Sequence, residues 1–358
     1  PMSKSEKMHA IRLNAPKELE YVSIDIPVPE AMEVVCKVES VAICGTDPHI
    51  INGDFPNFWP KSFPLIPGHE WAGVVETVGE SAAALGWKKG DRVCGISHVG
   101  CGHCAMCMQG RYTLCDNYGH EQFGHRQYGH YTQGAYAEYM RSNVKAISRI
   151  PDEMDFNVAS CMDPLSIALH MVMRSRIQPG DDVLINGSGG QGLMAILCAQ
   201  ALGARKIIVS GSGFRLDVAR EFGAIGINYR EEDVPARVKE LTGGKGAKRV
   251  IECAGTAVGI QQAIDAVAKG GVVSMVSLPG GDIPVPIRRI VLEEIELIGN
   301  RANPNTLDKA IALAARYPKE MQRLITHEFP LSAYEQAFDI FNGRKDNSLK
   351  VIMKPQLS

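Results

Sequence analysis

From about residue 164 to 299 the chain repeats one texture, a short apolar run, a glycine-rich turn and an amphipathic stretch. DDVLING opens the series and leads into a helical stretch over 190–203; KIIVSG leads into another over 215–222. A helix over 234–241, the run KRVIECAG, a helix over 259–268 and the run GGVVSMVSL continue it. Strands that alternate with helices at this spacing call for a parallel sheet covered on both faces. Gly187, Gly189 and Gly192 form G-x-G-x-x-G directly after the run VLIN and at the opening of a helix. In that setting the first glycine makes the turn, the second lets a pyrophosphate approach, and the third lets the helix sit on the strand.

The rest of the chain reads differently. The first 160 residues hold short β-branched runs, at 33–41, 71–78 and 135–140, separated by Gly and Pro clusters, so a β-rich domain is expected. Beyond Gly299 come helices over 307–316 and 333–341, with Pro318 ending the first, and a last strand, LKVIMK. The expected organisation is a β-rich domain over 2–160 completed by 299–358, with the α/β domain inserted at 161–298. Pro1 ahead of Met2 reads as a remnant of expression.

Lys plus Arg total 38 and Asp plus Glu total 40, a net charge of -2. No uniform positive field exists to hold nucleic acid or an anionic membrane. No stretch approaches the ~18 apolar residues that span a bilayer, and MSKSEKMHAIRL has no apolar core for secretion, so a cytoplasmic protein is expected. Ten cysteines would suggest disulfides in a short secreted chain. Here four of them, Cys101, Cys104, Cys107 and Cys115, crowd into C-x2-C-x2-C-x7-C. Four thiolates on a tight loop can close a tetrahedral zinc shell with no open position, which makes the site structural. An iron–sulfur run would have three residues before its last cysteine and a proline after it; this one has seven, and Asp116.

About twenty residues after the glycine turn, where an acid grips the ribose hydroxyls of NAD, stand Ser210, Gly211, Ser212 and then Arg215. Small hydroxyls with a nearby arginine leave room for a 2′-phosphate, so NADP is expected over NAD; alternatively Arg215 only begins a helix and Asp217 reaches the ribose. A third set is scattered through CGTDPH at 44–49, GHE at 68–70 and MDPLSIALH at 162–170. A thiolate, an imidazole and a carboxylate could hold a catalytic zinc with one position open, although spacing alone does not assemble them.

CGTDPH, PGHEWAGVVETVG, GDRV at 90–93, the four-cysteine loop and GSGGQG, in that order, resemble the zinc-dependent medium-chain alcohol dehydrogenase superfamily over essentially the whole chain. CGTD-x-H is similar to its threonine and polyol dehydrogenase branch, MDPLSIALH to the aspartate-ligand variant of bacterial secondary-alcohol dehydrogenases. The resemblance implies a Rossmann doubly wound sheet inserted into a GroES-like catalytic domain. It implies Cys44, His69 and Asp163 as catalytic zinc ligands, with Glu70 beside them as an exchangeable one. Thr46 would hydrogen-bond the substrate oxygen and His49 pass its proton to solvent. Gly187, Gly189, Gly190 and Gly192 would cradle the cofactor, with Lys350 near its phosphates.

The activity implied is reversible oxidation of a secondary alcohol or polyol by NAD(P), with two zinc ions per subunit. An aldehyde reductase of the same fold and a non-catalytic NADP-binding protein are the alternatives. The late apolar runs at a sheet edge, together with the resemblance, predict a homodimer or homotetramer. Phe55, Phe58, Trp59 and Phe63 either wall a substrate pocket or pack in the core. Arg301, after EIELIGN, is expected at the surface, with a position facing substrate or phosphate as the alternative. His120, His125 and His130, each following a glycine, are expected on a mobile loop and not at a second metal site.

Overall fold

A computed structural model of the protein describes residues 6–357, and Pro1 lies outside them. The chain forms two compact units: one runs to Asp163 and resumes at Leu307, and the other is Pro164–Thr306. The second unit continues past Gly299 because Asn303 Nδ2 donates to Ser166 Oγ at 2.7 Å and Thr306 Oγ1 to the Ser166 carbonyl at 2.9 Å. Those bonds hold residues that the sequence pattern assigned to the other domain.

The first unit is built on a seven-stranded sheet. Its order is Ile325–Pro330, Lys350–Lys354, Glu33–Ala42, Glu70–Val78, Arg92–Gly95 and Ile147–Arg149, with Tyr139–Asn143 also pairing on Glu33–Ala42. Only the first two strands are parallel. Val34, Val35, Cys36, Val38, Ala72, Val75 and Val93 are fully buried along it, which explains the near-continuous apolar runs. The expected strand at 135–140 is displaced to Tyr139–Asn143. The residues before it turn instead to the 67–68 segment, where the Ala135 N–H donates to the Gly68 carbonyl at 2.9 Å and that of Tyr136 to Pro67 at 3.0 Å.

Helix Leu307–Arg316 buries Leu307, Ala310, Ile311, Leu313 and Ala314. Pro318 then stands in the first turn of a further helix, Pro318–Leu324, where its missing N–H costs nothing.

The second unit is a six-stranded sheet, parallel throughout. Its order is Ile225–Asn228, Lys206–Gly211, Asp182–Asn186, Ala247–Glu252, Val267–Met275 and Glu296–Gly299. In sequence rank that is 3-2-1-4-5-6, the doubly wound order, with its switch point beside Asp182–Asn186. Leu184, Ile208, Ile227, Val250 and Val273 form one apolar layer with Val234 and Val238 of helix Val234–Leu241. No helix among the described residues is long and apolar enough to cross a membrane.

Candidate functional site

Strand register explains how distant residues meet. Ala42 pairs with both Glu70 and Ile352, so the chain leaving one strand at Cys44 passes the chain entering another at His69. Cys44, His69 and Glu70 offer donor atoms that all lie within 4.8 Å of one another. His69 and Glu70 are buried. Burial, then the charge of Glu70, keeps the Cys44 thiol above its usual pKa. Burial opposes a charge on His69, but Cys44 and Asp47 outweigh it and hold the imidazole well above its ordinary range. A half-buried thiol crowded against a buried imidazole and carboxylate fits a divalent cation, which would replace the thiol and imidazole protons.

Around this set lie residues that the sequence did not single out. The Asp47 carboxylate is completely buried, and its Oδ1 faces His69 Nδ1 at 3.5 Å. Its Oδ2 accepts the Cys44 N–H at 2.9 Å and the Tyr136 hydroxyl. Burial raises the Asp47 pKa, but His69, Tyr136 and the Cys44 N–H outweigh it and keep the group below its usual range. With Nδ1 turned to Asp47, Nε2 is the nitrogen left to a metal. Asp47 was visible inside CGTDPH without a role. Tyr136 gave no local signal.

Lys350, expected near the cofactor phosphates, is placed at the metal set. Its Nζ donates to Glu70 Oε2 at 2.5 Å and to the Ile43 carbonyl at 3.4 Å. Burial disfavours its charge, yet Glu70, Cys161 and Cys44 raise its pKa above the usual value.

The structure brings together three of the four expected ligands. Asp163 is buried at the start of helix Met162–Arg174 but stands outside the group of converging donors. Its charge adds to the rise that burial gives the Cys94 thiol. Thr46 opens helix Thr46–Asn52 behind Gly45, which holds the capping position, and its Oγ1 lies 3.8 Å from Cys44 Sγ. The side chain of His49 is 61% exposed, and its Nδ1 lies 2.7 Å from Asp54 Oδ2.

The thiols of Cys101, Cys104, Cys107 and Cys115 also lie within 4.8 Å of one another, around helix Ala105–Met108. Sγ–Sγ distances are 3.9 Å for Cys101–Cys107 and for Cys104–Cys115. A tetrahedron of ~2.3 Å Zn–S bonds has edges of about 3.8 Å, so the cage already fits zinc. Backbone N–H groups of His103, Cys104, Cys107 and Asp116 point at these sulfurs at 3.3–3.5 Å. Burial opposes ionisation of Cys101, but Asn117 and the His103 and Cys104 N–H groups bring its thiol down to about 6.

In the second unit, strand Asp182–Asn186 ends in the glycine turn and helix Gly190–Ala201. Gly187 has φ 115°. A Cβ on Gly192 would lie 1.9 Å from the Gly187 carbonyl oxygen. One on Gly190 would meet nothing within 4 Å, and one on Gly189 only Arg215 Nη1 at 3.6 Å. Arg215 therefore turns its guanidinium toward the glycine turn and does more than begin helix Gly213–Glu221. Ser212 precedes that helix with its Oγ 3.4 Å from the Tyr229 hydroxyl, whereas Ser210 is buried in the strand beside Gly211. Asp217 is engaged with Arg220 at 3.1 Å.

The histidines after residue 119 do not form one donor cluster among the described residues: 120–124 is exposed, whereas 125 and 127–130 are buried. His120 is exposed and His125 is buried against Tyr131, whose hydroxyl lies 2.5 Å from its Nδ1. His130 packs its ring 4.4 Å from that of His69 and 4.7 Å from that of Trp59. Trp59 in turn touches Phe55 and Phe58, so an aromatic path leads to the metal set; Phe63 stays exposed outside it. Arg301 is exposed.

Comparisons with known proteins place the chain in a family. The alcohol dehydrogenase GroES-like domain matches residues 30–152, and the zinc-binding dehydrogenase domain matches 190–316. The chain belongs to the zinc-dependent medium-chain alcohol dehydrogenase family. It is 33% identical over 354 residues to the sorbitol dehydrogenase of Bacillus subtilis (strain 168), covering 98% of each chain. It is 33% identical over 335 residues to the L-threonine 3-dehydrogenase of Anaeromyxobacter sp. (strain K), covering 92% of this chain and 93% of that one. A Sinorhizobium meliloti 1021 protein named as a zinc-binding dehydrogenase and solved bound to NADP superposes with a TM-score of 0.88 at 30% identity, over 98% of this chain and 100% of that one.

Proposed function

We propose that the protein interconverts a secondary alcohol or polyol and its ketone, with hydride passing to or from NAD(P). The observation that carries the reading is the convergence of a half-buried Cys44 with buried His69 and Glu70, three donors that leave a position open for substrate. Zinc held there supplies Lewis acidity, which lets an alcohol oxygen lose its proton near neutral pH. The Thr46 hydroxyl beside Cys44 accepts the proton of the alcohol while handing on its own. His49, reaching solvent, passes it to water. Lys350 pairs with Glu70 and offsets part of the negative charge of the set.

Two zinc ions bind per subunit, the second in the four-cysteine cage. NADP is preferred, because no carboxylate stands at 210–212, Asp217 is occupied by Arg220, and Ser212 and Arg215 flank the glycine turn. Subunits pair through the second unit: among the described residues its edge strand Glu296–Gly299 has a strand neighbour on one side only, and Val291 and Leu292 of the preceding helix are exposed. A monomeric mass in light scattering at micromolar concentration contradicts that pairing. The function itself is tested by kcat/KM over a panel of secondary alcohols and polyols with each cofactor. Turnover of at least one, faster with NADP, is expected; none with either cofactor rejects the reading.

A further inference from the structure

Tyr136 is fully buried, yet its hydroxyl ends on a carboxylate, Asp47 Oδ2. The other oxygen of that carboxylate and His69 Nδ1 face each other at 3.5 Å, and neither buried atom has a hydrogen-bond partner among the described residues. We propose that Tyr136 is a positioning residue for the catalytic metal: by clamping Asp47, it holds the acceptor that keeps His69 protonated on Nδ1 and presents Nε2 to the ion. The proposal rests on reading Cys44, His69 and Glu70 as a metal set.

One residue here reaches both halves of the ligand pair. Through its hydroxyl, Tyr136 fixes the 44–47 turn, since the oxygen it bonds also takes the Cys44 N–H at 2.9 Å. Through its backbone it fixes the approach to His69, its N–H donating to the Pro67 carbonyl at 3.0 Å. The ring lies so close to Gly68 that a Cβ there would meet it at 2.6 Å, and Phe338 packs on the ring edge-on at 5.8 Å. A ligating imidazole depends on its outer partner for tautomer and orientation, and that partner depends on whatever holds it in place. A carboxylate buried away from water has no solvent to restrain it. Without the hydroxyl, Asp47 keeps only the Cys44 N–H on Oδ2 and is free to turn away from His69.

Phenylalanine keeps the ring contacts with Gly68 and Phe338 and removes the hydroxyl alone, so Tyr136→Phe is the variant to make. The ion is defined first in the wild-type protein as the zinc that Cys44→Ser loses and that a chelator competes for. For that ion Tyr136→Phe is expected to lower affinity about 10- to 100-fold, the range seen for outer partners of metal ligands. The four-cysteine zinc in the same sample is expected to be unchanged. In an Asp47→Asn background the tyrosine substitution is expected to add less than about twofold, because the two residues act as one unit. Unchanged affinity in Tyr136→Phe, or the same loss with and without the Asp47 carboxylate, overturns the proposal. A wild-type protein holding no Cys44-dependent ion overturns the metal reading itself and this inference with it, and the wild-type measurement alone shows that case.

Discussion

Cys44 and His69 hold their protons more tightly than free side chains do, and those protons sit where a cation would. For His69 the folded pKa is raised. The stability it contributes without metal is therefore complete below the ordinary imidazole range and is lost as pH rises through the raised value. Metal and proton compete for the same atoms, so zinc affinity at this set should climb with pH from the ordinary imidazole range upward. Competition titrations at several pH values check this; a flat profile would contradict it. At the same scale, Thr46→Val should lower kcat by about 10²-fold or more with zinc content unchanged. His49→Ala should do less. A normal kcat in the first variant, or zinc loss in the second, would show the relay misassigned. Cys44, His69 and Glu70 were legible as chemistry-bearing residues, but only resemblance joined them, because the joining agent is strand register between segments far apart in sequence. Tyr136 was illegible: a buried tyrosine in a β-rich stretch looks like core, and its partner lies 89 residues away.

Among the elements, the glycine turn and the cysteine loop make separable demands. Gly192 lies so near the Gly187 carbonyl that Gly192→Ala must move backbone, not a flexible side chain. A cost of about 1–3 kcal/mol and a sharp rise in KM for the cofactor are expected. Thermal unfolding together with cofactor titration checks both, and unchanged values would mean that the turn gives easily. Cys104→Ser opens the four-thiol cage and should lower Tm, each kcal/mol lost being worth roughly 2–4 °C for a unit of this size. A Tm equal to wild type would argue against a structural metal there.

The α/β alternation and the cysteine spacing were readable because each is local, resting on the period of apolar residues and on a loop too short to arrange its thiols elsewhere. In the 119–131 segment glycine spacing gives no sign of which histidines are buried. What fixes it is tertiary: His125 on Tyr131, and His130 between Trp59 and His69.

At the scale of the whole molecule, the division of labour follows chain order. One unit carries both donor sets that could hold a metal, and the inserted unit carries the glycine turn at the switch point of its sheet. The change of texture near residue 164 was readable in sequence. The return was not, since the bonds from Asn303 and Thr306 to Ser166 leave no periodic trace. The account as a whole stands on the ion at Cys44, His69 and Glu70 being required for turnover. The most direct test is oxidation of a secondary alcohol or polyol, followed by cofactor absorbance, on protein stripped of its Cys44-dependent ion and then reloaded with zinc. The predicted result is a loss on the order of 10²-fold or more on stripping, matching several kcal/mol of Lewis-acid stabilisation, with recovery on reloading. Stripped protein that turns over as fast as the loaded form would contradict the account.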